Sequence, residues 1–233
     1  MNAHHAPRVR GTASLLLRWF GAACYFSAMT SDNPHDHRYA GAEYYWGEGR
    51  SALCDRVNII AQPRGFRKLT LIDLGSGEGR DALYFARSGF DVTALDTSPV
   101  GLDKTREKAG EMGVEVNTVT ASIIDYGLRW HYDVIFSSGA LHYIPETVRP
   151  ARFRHFREHT APDGLHAFTV IVRDPNLGAA PDAEPNAYLF EPGELLAYYD
   201  DWAVLFYKDE IINCHSGGIP HQHAISRIIA RRQ

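Results

Sequence analysis

The stretch DLGSGEGR, Asp73 to Arg80, limits the folds open to this 233-residue chain more than any other feature. Three of its five central positions are glycine, Gly75, Gly77 and Gly79. Glycine weakens both helices and strands, so such density needs a reason. A short apolar run, KLTLIDLG (68–75), precedes the turn, and a helix-like run, RDALYFARSG (80–89), follows it. A glycine turn from strand to helix lets backbone approach a ligand at the carboxyl end of a sheet.

The rest of the chain repeats that strand–helix alternation. FDVTALD (90–96), VEVNTVTA (114–121), YDVIFSS (132–138) and LHAFTVIVR (165–173) read as strands. SALCDRVNIIA (51–61), SPVGLDKTREKAGEMG (98–113) and RPARFRHFREHTA (149–161) read as helices. The second of these has Ser98 as cap, Pro99 in its first turn and Gly113 as its stop. This order predicts an α/β fold, a doubly wound and mostly parallel sheet with helices on both faces. The end of the chain differs. PGELLAYYD (192–200) is a short helix, and WAVLFYKDEII (202–212) and HAISRIIARR (223–232) are two strands with no helix between them. They are expected to pair as an antiparallel hairpin at the sheet edge. The long loop DPNLGAAPDAEPNAY (174–188) is of a length that is often functional.

Bulk properties narrow the partners. Net charge is only −4 with His neutral, which disfavours a broad phosphate-tracking surface and nucleic acid as the default partner. Cys24, Cys54 and Cys214 are too few and scattered for a disulfide framework, so reduced thiols and a cytoplasmic location are expected. No apolar run reaches the length of a membrane span. Residues 1–30 carry no acid and are expected to be a disordered leader or the result of a start called too early, with Met29 as the true start. The folded domain is expected over 31–233.

The glycine spacing bears on the ligand. GxGxG differs from the dinucleotide GxGxxG, because the third glycine comes one residue early. Asp73, two residues before Gly75, suits a cationic ligand better than a pyrophosphate. Asp96 ends the next strand, about 20 residues on, where a ribose-binding acid belongs. Together with the terminal hairpin, these features resemble the class I S-adenosylmethionine-dependent methyltransferases over residues 40–233. That resemblance implies a seven-stranded, Rossmann-like sheet with an antiparallel seventh strand and S-adenosyl-L-methionine as cofactor. It implies that Asp73, Gly75, Ser76 and Gly77 line the methionine part, and that Asp96 binds the ribose with Thr97 beside the adenine. Ser122 and Ile123 would frame the adenine, and Ser138 and Gly139 would meet the amino-acid end. Many members carry an acid where this chain has Ser122. The segment AEYYWGEGRS (42–51) falls where the family folds a lid, here expected over about 38–62. Tyr44, Tyr45 and Trp46 can hold a sulfonium by cation–π attraction or simply pack the lid, and Arg50 is assigned to the cofactor carboxylate.

The acceptor is read further along. SSGALHYIP (137–145) lacks the N/D-P-P-Y motif of enzymes that methylate nucleobases, so a small-molecule acceptor is expected. Phe190, Gly193, Glu194, Leu195, Tyr198, Tyr199 and Trp202 form an F-x-x-GEL-x-x-YY-x-x-W pattern. It looks like that of the tellurite-resistance and small thiol or metalloid methyltransferases. That group places a His where this chain has His215, but its nearby arginines are replaced here by His221 and His223. The imidazoles of CHSGGIPHQH contact the substrate, bind a metal through His221-x-His223, or are exposed loop residues without a role. The spacing matches no standard zinc motif, so no metal is assigned and His215, His223 and His142 are expected to be catalytic. A thiol or a selenium or tellurium oxyanion is the expected acceptor. A metabolite O/N-methyltransferase and a non-catalytic cofactor- or metal-binding protein are the alternatives. The protein is expected to act as a monomer or homodimer.

Overall fold

A seven-stranded sheet in the order β3-β2-β1-β4-β5-β7-β6 organises the structure, a computed structural model that describes residues 33–61 and 67–233. The elements run α1 (Pro34–Tyr39), α2 (Leu53–Ile60), β1 (Thr70–Leu74), α3 (Arg80–Arg87), β2 (Asp91–Asp96), α4 (Pro99–Met112), β3 (Val116–Thr120) and β4 (Tyr132–Ser138). Then follow α5 (Arg149–Glu158), β5 (Thr160–Val172), α6 (Glu194–Ala197), β6 (Ala203–Cys214) and β7 (His221–Arg231). Strands β1 to β5 pair in parallel, while β7 lies antiparallel between β5 and β6. The α/β fold and terminal hairpin expected from the sequence are present. The expectations for residues 1–30 and for the last residue of the lid fall outside the described residues.

The two faces follow from side-chain alternation along each strand. Leu71, Val134, Phe136, Ala167 and Ile229 point to one face, where they meet Leu53 and Val57 of α2, Phe85 of α3 and Leu102 of α4. Ile72, Leu74, Ile135, Phe168 and Ile228 point to the other, packed against Phe153 and Phe156 of α5 and Leu195 of α6. A parallel sheet covered on both faces reads as near-continuous apolar runs, as these strands do.

Three boundaries differ from the sequence reading. β5 begins at Thr160 rather than Leu165, because TAPDG continues the ladder through a register shift opposite Tyr132–Val134. Asp163 takes φ 60 there, the left-handed conformation a bulge needs and Asp tolerates. At the other end, β6 runs on to Cys214 and β7 starts at His221, so residues expected in a loop sit directly opposite one another in the ladder.

Buried polar groups on the α5 face are paired. His166 lies between the Thr160 hydroxyl and the Tyr199 hydroxyl, 2.8 Å from each, and burial pushes its imidazole down to about 3. The fully buried Arg149 ion-pairs with Glu194 at 2.6 Å and donates to the carbonyls of Ile144 and Tyr188. Its guanidinium also lies 3.8 Å from the Phe190 ring centroid. The GEL motif thus anchors the far end of the long loop by a desolvated charge pair. That loop closes on itself through a bridge between Val172 and Phe190.

Candidate active site

The glycine turn occupies the carboxyl ends of β1 and β2, between β1 and α3. Gly75, Gly77 and Gly79 all adopt positive φ. At Gly75 a methyl group would lie 2.2 Å from the Ala140 methyl, so the turn and the end of β4 touch through a missing side chain. Asp96 clamps the same turn. Its carboxylate accepts the N–H of Gly77 and of Ser98, each at 2.8 Å.

Asp73 is buried beneath the turn, and burial, then Asp81 and Asp96, raise its carboxyl well above the usual range. Its Oδ2 and the Ser76 hydroxyl are buried without a partner among the described residues. Asp96 is also raised, chiefly by burial, despite its two backbone bonds. Uncompensated acceptors and mutually repelling acids are the signature of a site built to take a cation or a donor.

The N-terminal segment lies across this turn. The Tyr39 hydroxyl stands 3.0 Å from where a Gly77 side chain would begin. Asn33 donates to the Thr97 hydroxyl at 3.3 Å, and the Ser98 hydroxyl donates to Asp36. Glu78, inside the glycine motif, is buried and accepts the N–H of Tyr45 at 2.8 Å and Lys104 at 2.5 Å. Arg80 donates to the Trp46 carbonyl at 2.7 Å. The covering segment therefore starts at α1, earlier than the expected 38–62. The sequence reading missed Tyr39 and Glu78.

Arg50 lies elsewhere. Both of its bonds go to Asp55, at 2.9 and 2.7 Å, on the exposed surface, and its guanidinium stacks 5.0 Å from the Tyr84 ring. The positive charge that opposes the rise of the Asp73 carboxyl is that of Arg80 instead. Ile123 is buried in the α5-face core, and the Ser122 hydroxyl accepts the Ile124 N–H at 3.1 Å. Ser138 is half-buried at the end of β4, opposite Thr169.

The histidines divide into two groups. His142 is buried on the short turn after β4, with its Nδ1 unpartnered among the described residues. Burial, and then the charges of His223 and Arg149, push it down to about 4, so it is neutral at physiological pH. His223 and His221 converge on Asp182 of the long loop, at 3.3 and 3.2 Å, with their Nε2 atoms 2.9 Å apart. Burial works to raise the Asp182 carboxyl, but the Ser216 hydroxyl bond and the two imidazoles outweigh it and hold it below the usual value. His215 is exposed and apart from this group. It lines a cleft of about 770 Å³ together with residues 41–47 and the neighbouring Cys214 and Ser216.

The long loop ties the two regions together. Its Glu184 ion-pairs with Arg38 and lies 3.7 Å from His35 of α1. His35 stacks on Tyr39 and meets Tyr143 edge-on. Asp182, Glu184 and His35 carried no local motif, and only the fold brings them beside His142 and His223.

Comparison with known proteins agrees with this architecture. The family described as tellurite resistance protein TehB matches residues 35–222. A relative from Haemophilus influenzae, the probable S-adenosyl-L-methionine-dependent methyltransferase TehB, is 26% identical over 180 residues, covering 76% of this chain and 61% of its own length. The chain thus spans about three-fifths of that relative. The crystal structure of TehB from Haemophilus influenzae superposes with a TM-score of 0.67 at 23% identity, over 78% of this chain and 61% of that one. A structure described as "Conversion of a Disulfide Bond into a Thioacetal Group during Echinomycin Biosynthesis" gives a TM-score of 0.63 at 18% identity, over 84% of this chain and 86% of that one. No helix among the described residues is long and apolar enough to cross a membrane. Fold, motif and family match agree, and the chain belongs to the TehB tellurite resistance protein family.

Proposed function

We propose that this protein transfers the methyl group of S-adenosylmethionine to a small-molecule acceptor whose attacking atom is sulfur, selenium or tellurium. The observation that carries the reading is the glycine turn with its two unpartnered buried acceptors, Asp73 Oδ2 and Ser76 Oγ. The name of the Haemophilus influenzae relative supports the same cofactor.

The residues present fit that group. Asp96, with each carboxylate oxygen already oriented by one backbone N–H, has lone pairs left for ribose hydroxyls. Asp73 and Ser76 offer acceptors to an ammonium, and a cation there relieves the repulsion among Asp73, Asp81 and Asp96. S-adenosylmethionine, when bound, would supply an electrophilic methyl carbon, with the sulfonium sulfur departing as a neutral thioether as the acceptor's electron pair forms the new bond. Positioning then supplies much of the acceleration. The segment from Asn33 to Trp46 acts as a lid, held down by Glu78 and Arg80, and its aromatic rings exclude water from the cationic donor.

On the acceptor side, His142 is neutral and its Nδ1 has no partner among the described residues, as a base needs when the acceptor arrives protonated. The family's description as a tellurite resistance protein supports a soft acceptor over an oxygen nucleophile. The test is a panel assay with methyl-labelled S-adenosylmethionine and small thiols, selenite, tellurite and phenols. Label should pass to the thiols or to the selenium and tellurium compounds, and His142→Gln should slow turnover while leaving donor affinity unchanged. Label passing to phenols alone would replace the soft acceptor with an oxygen one. No transfer to any member would overturn the reading.

A further inference from the structure

We propose that Cys214, His221, His223 and Asp182 form a binding site for one divalent metal ion, zinc by the chemistry of the donor set. This inference stands apart from the methyl-transfer reading, since it needs neither donor nor acceptor. One ligand atom from each residue lies within 4.8 Å of all the others. The antiparallel register makes this convergence. Cys214 and His221 are direct ladder partners, and His223 lies two residues along the same face. Asp182 closes the group from the long loop. All four are only partly exposed, and the His221, His223 and Asp182 side chains are 6, 12 and 6% accessible.

The hydrogen-bond count inside the cluster favours a cation. His221 Nδ1 lies 2.7 Å from the Ile219 carbonyl, an acceptor only, so that nitrogen carries the proton. Its Nε2 is left with a lone pair and points at His223 Nε2, 2.9 Å away, and at Asp182. Asp182 Oδ1 is buried without a hydrogen-bond partner among the described residues, so the converging imidazoles, carboxylate and thiol leave an acceptor unsatisfied. A zinc ion resolves this and takes such N, S and O ligands tetrahedrally. Outer contacts are in place as well. Ile219 fixes the His221 tautomer, and the Ser216 hydroxyl holds Asp182 at 2.6 Å and touches Cys214 Sγ at 3.2 Å. Four protein ligands close the coordination sphere, so the ion would lock the long loop onto the hairpin beside His142. The Cys-x6-His-x-His spacing with a distant Asp matches no short motif, which is why the sequence alone pointed away from a metal.

The test uses the full chain, stripped with a chelator and titrated with zinc against a chromophoric competitor. One equivalent should bind. Changing both His221→Gln and His223→Gln should weaken binding by more than about 100-fold, and Ser216→Ala by about 10-fold. Cobalt in place of zinc should give a thiolate-to-metal absorption band that Cys214→Ser removes. Circular dichroism of each variant separates lost ligands from lost fold. If the double variant fails to fold, the cobalt spectrum of the unaltered chain decides, because absence of a thiolate band overturns the site. Failure of the stripped chain to take up zinc overturns it too, leaving a hydrogen-bonded His–His–Asp cluster. Uptake that is indifferent to Cys214 and to both histidines overturns it by placing the ion elsewhere.

Discussion

At the glycine turn, shape comes from the backbone. Gly75, Gly77 and Gly79 hold positive φ, and Asp96 is fixed by two main-chain N–H groups. At the hairpin turn, shape comes from side chains. Asp182, Cys214, His221 and His223 meet only because a long loop folds back onto two paired strands. Burial favours the neutral form at both, and so moves acid and base in opposite directions. Burial raises the carboxyls of Asp73 and Asp96 at the first region and lowers the imidazole of His142 near the second. A backbone-built end is hard to alter without disturbing the sheet. A side-chain-built end can exchange one ligand at a time while the sheet stays as it is.

Several substitutions can break or sharpen this contrast. The largest effect is expected from Arg149→Met, which leaves Glu194 without its buried partner and frees the end of the long loop. It should cost about 3–5 kcal/mol in urea unfolding. If the two regions are separate, donor affinity should survive it. Gly75→Ala should cost about 2–4 kcal/mol, from left-handed backbone plus overlap with Ala140. Here the contrast demands the reverse outcome, with donor binding lost and zinc uptake retained. Parallel loss of both in either variant would merge the two regions into one.

A smaller effect should appear with pH. The folded imidazole of His166 is pushed down to about 3 by burial, below the ordinary 6.5. Between those values the unfolded chain binds the extra proton, so His166 favours the folded state fully above about 6.5 and progressively less as the solution is acidified. Its slope is at most about 1.4 kcal/mol per pH unit. Asp73 works in the opposite sense, since its raised carboxyl favours folding at low pH and loses that advantage as pH rises through its folded value. Urea unfolding across pH 4 to 7 should show a shallower slope for His166→Gln than for the parent chain. An unchanged slope would place the acid sensitivity elsewhere.

The same contrast explains what could be read from the sequence. DLGSGEGR, Asp96 and the alternating apolar runs are local signals, and the sheet order and terminal hairpin follow from them. Glu78 was in plain view, but its role depends on Tyr45 and Lys104, which reach it only in the folded chain. A lone cation near a lid carries no direction in the sequence, and in the folded chain Arg50 is bonded to Asp55, five residues on. His215 is put forward by its match to the family pattern, while the convergence of Cys214 with His221 depends on strand lengths that the sequence underestimates. Two more residues of ladder at each end bring Cys214 opposite His221 and leave His215 outside. Asp182 and Glu184, in an Ala- and Pro-rich loop, had no periodicity to mark them.

The account rests most heavily on the glycine turn and Asp96 as the donor site. Isothermal calorimetry with S-adenosylmethionine on the parent chain and on Asp96→Ala tests it most directly, with circular dichroism and zinc uptake reporting that the variant is folded. One equivalent should bind the parent chain, and binding heat should vanish in the variant. Equal affinity for both chains, or no heat from the parent, would contradict it.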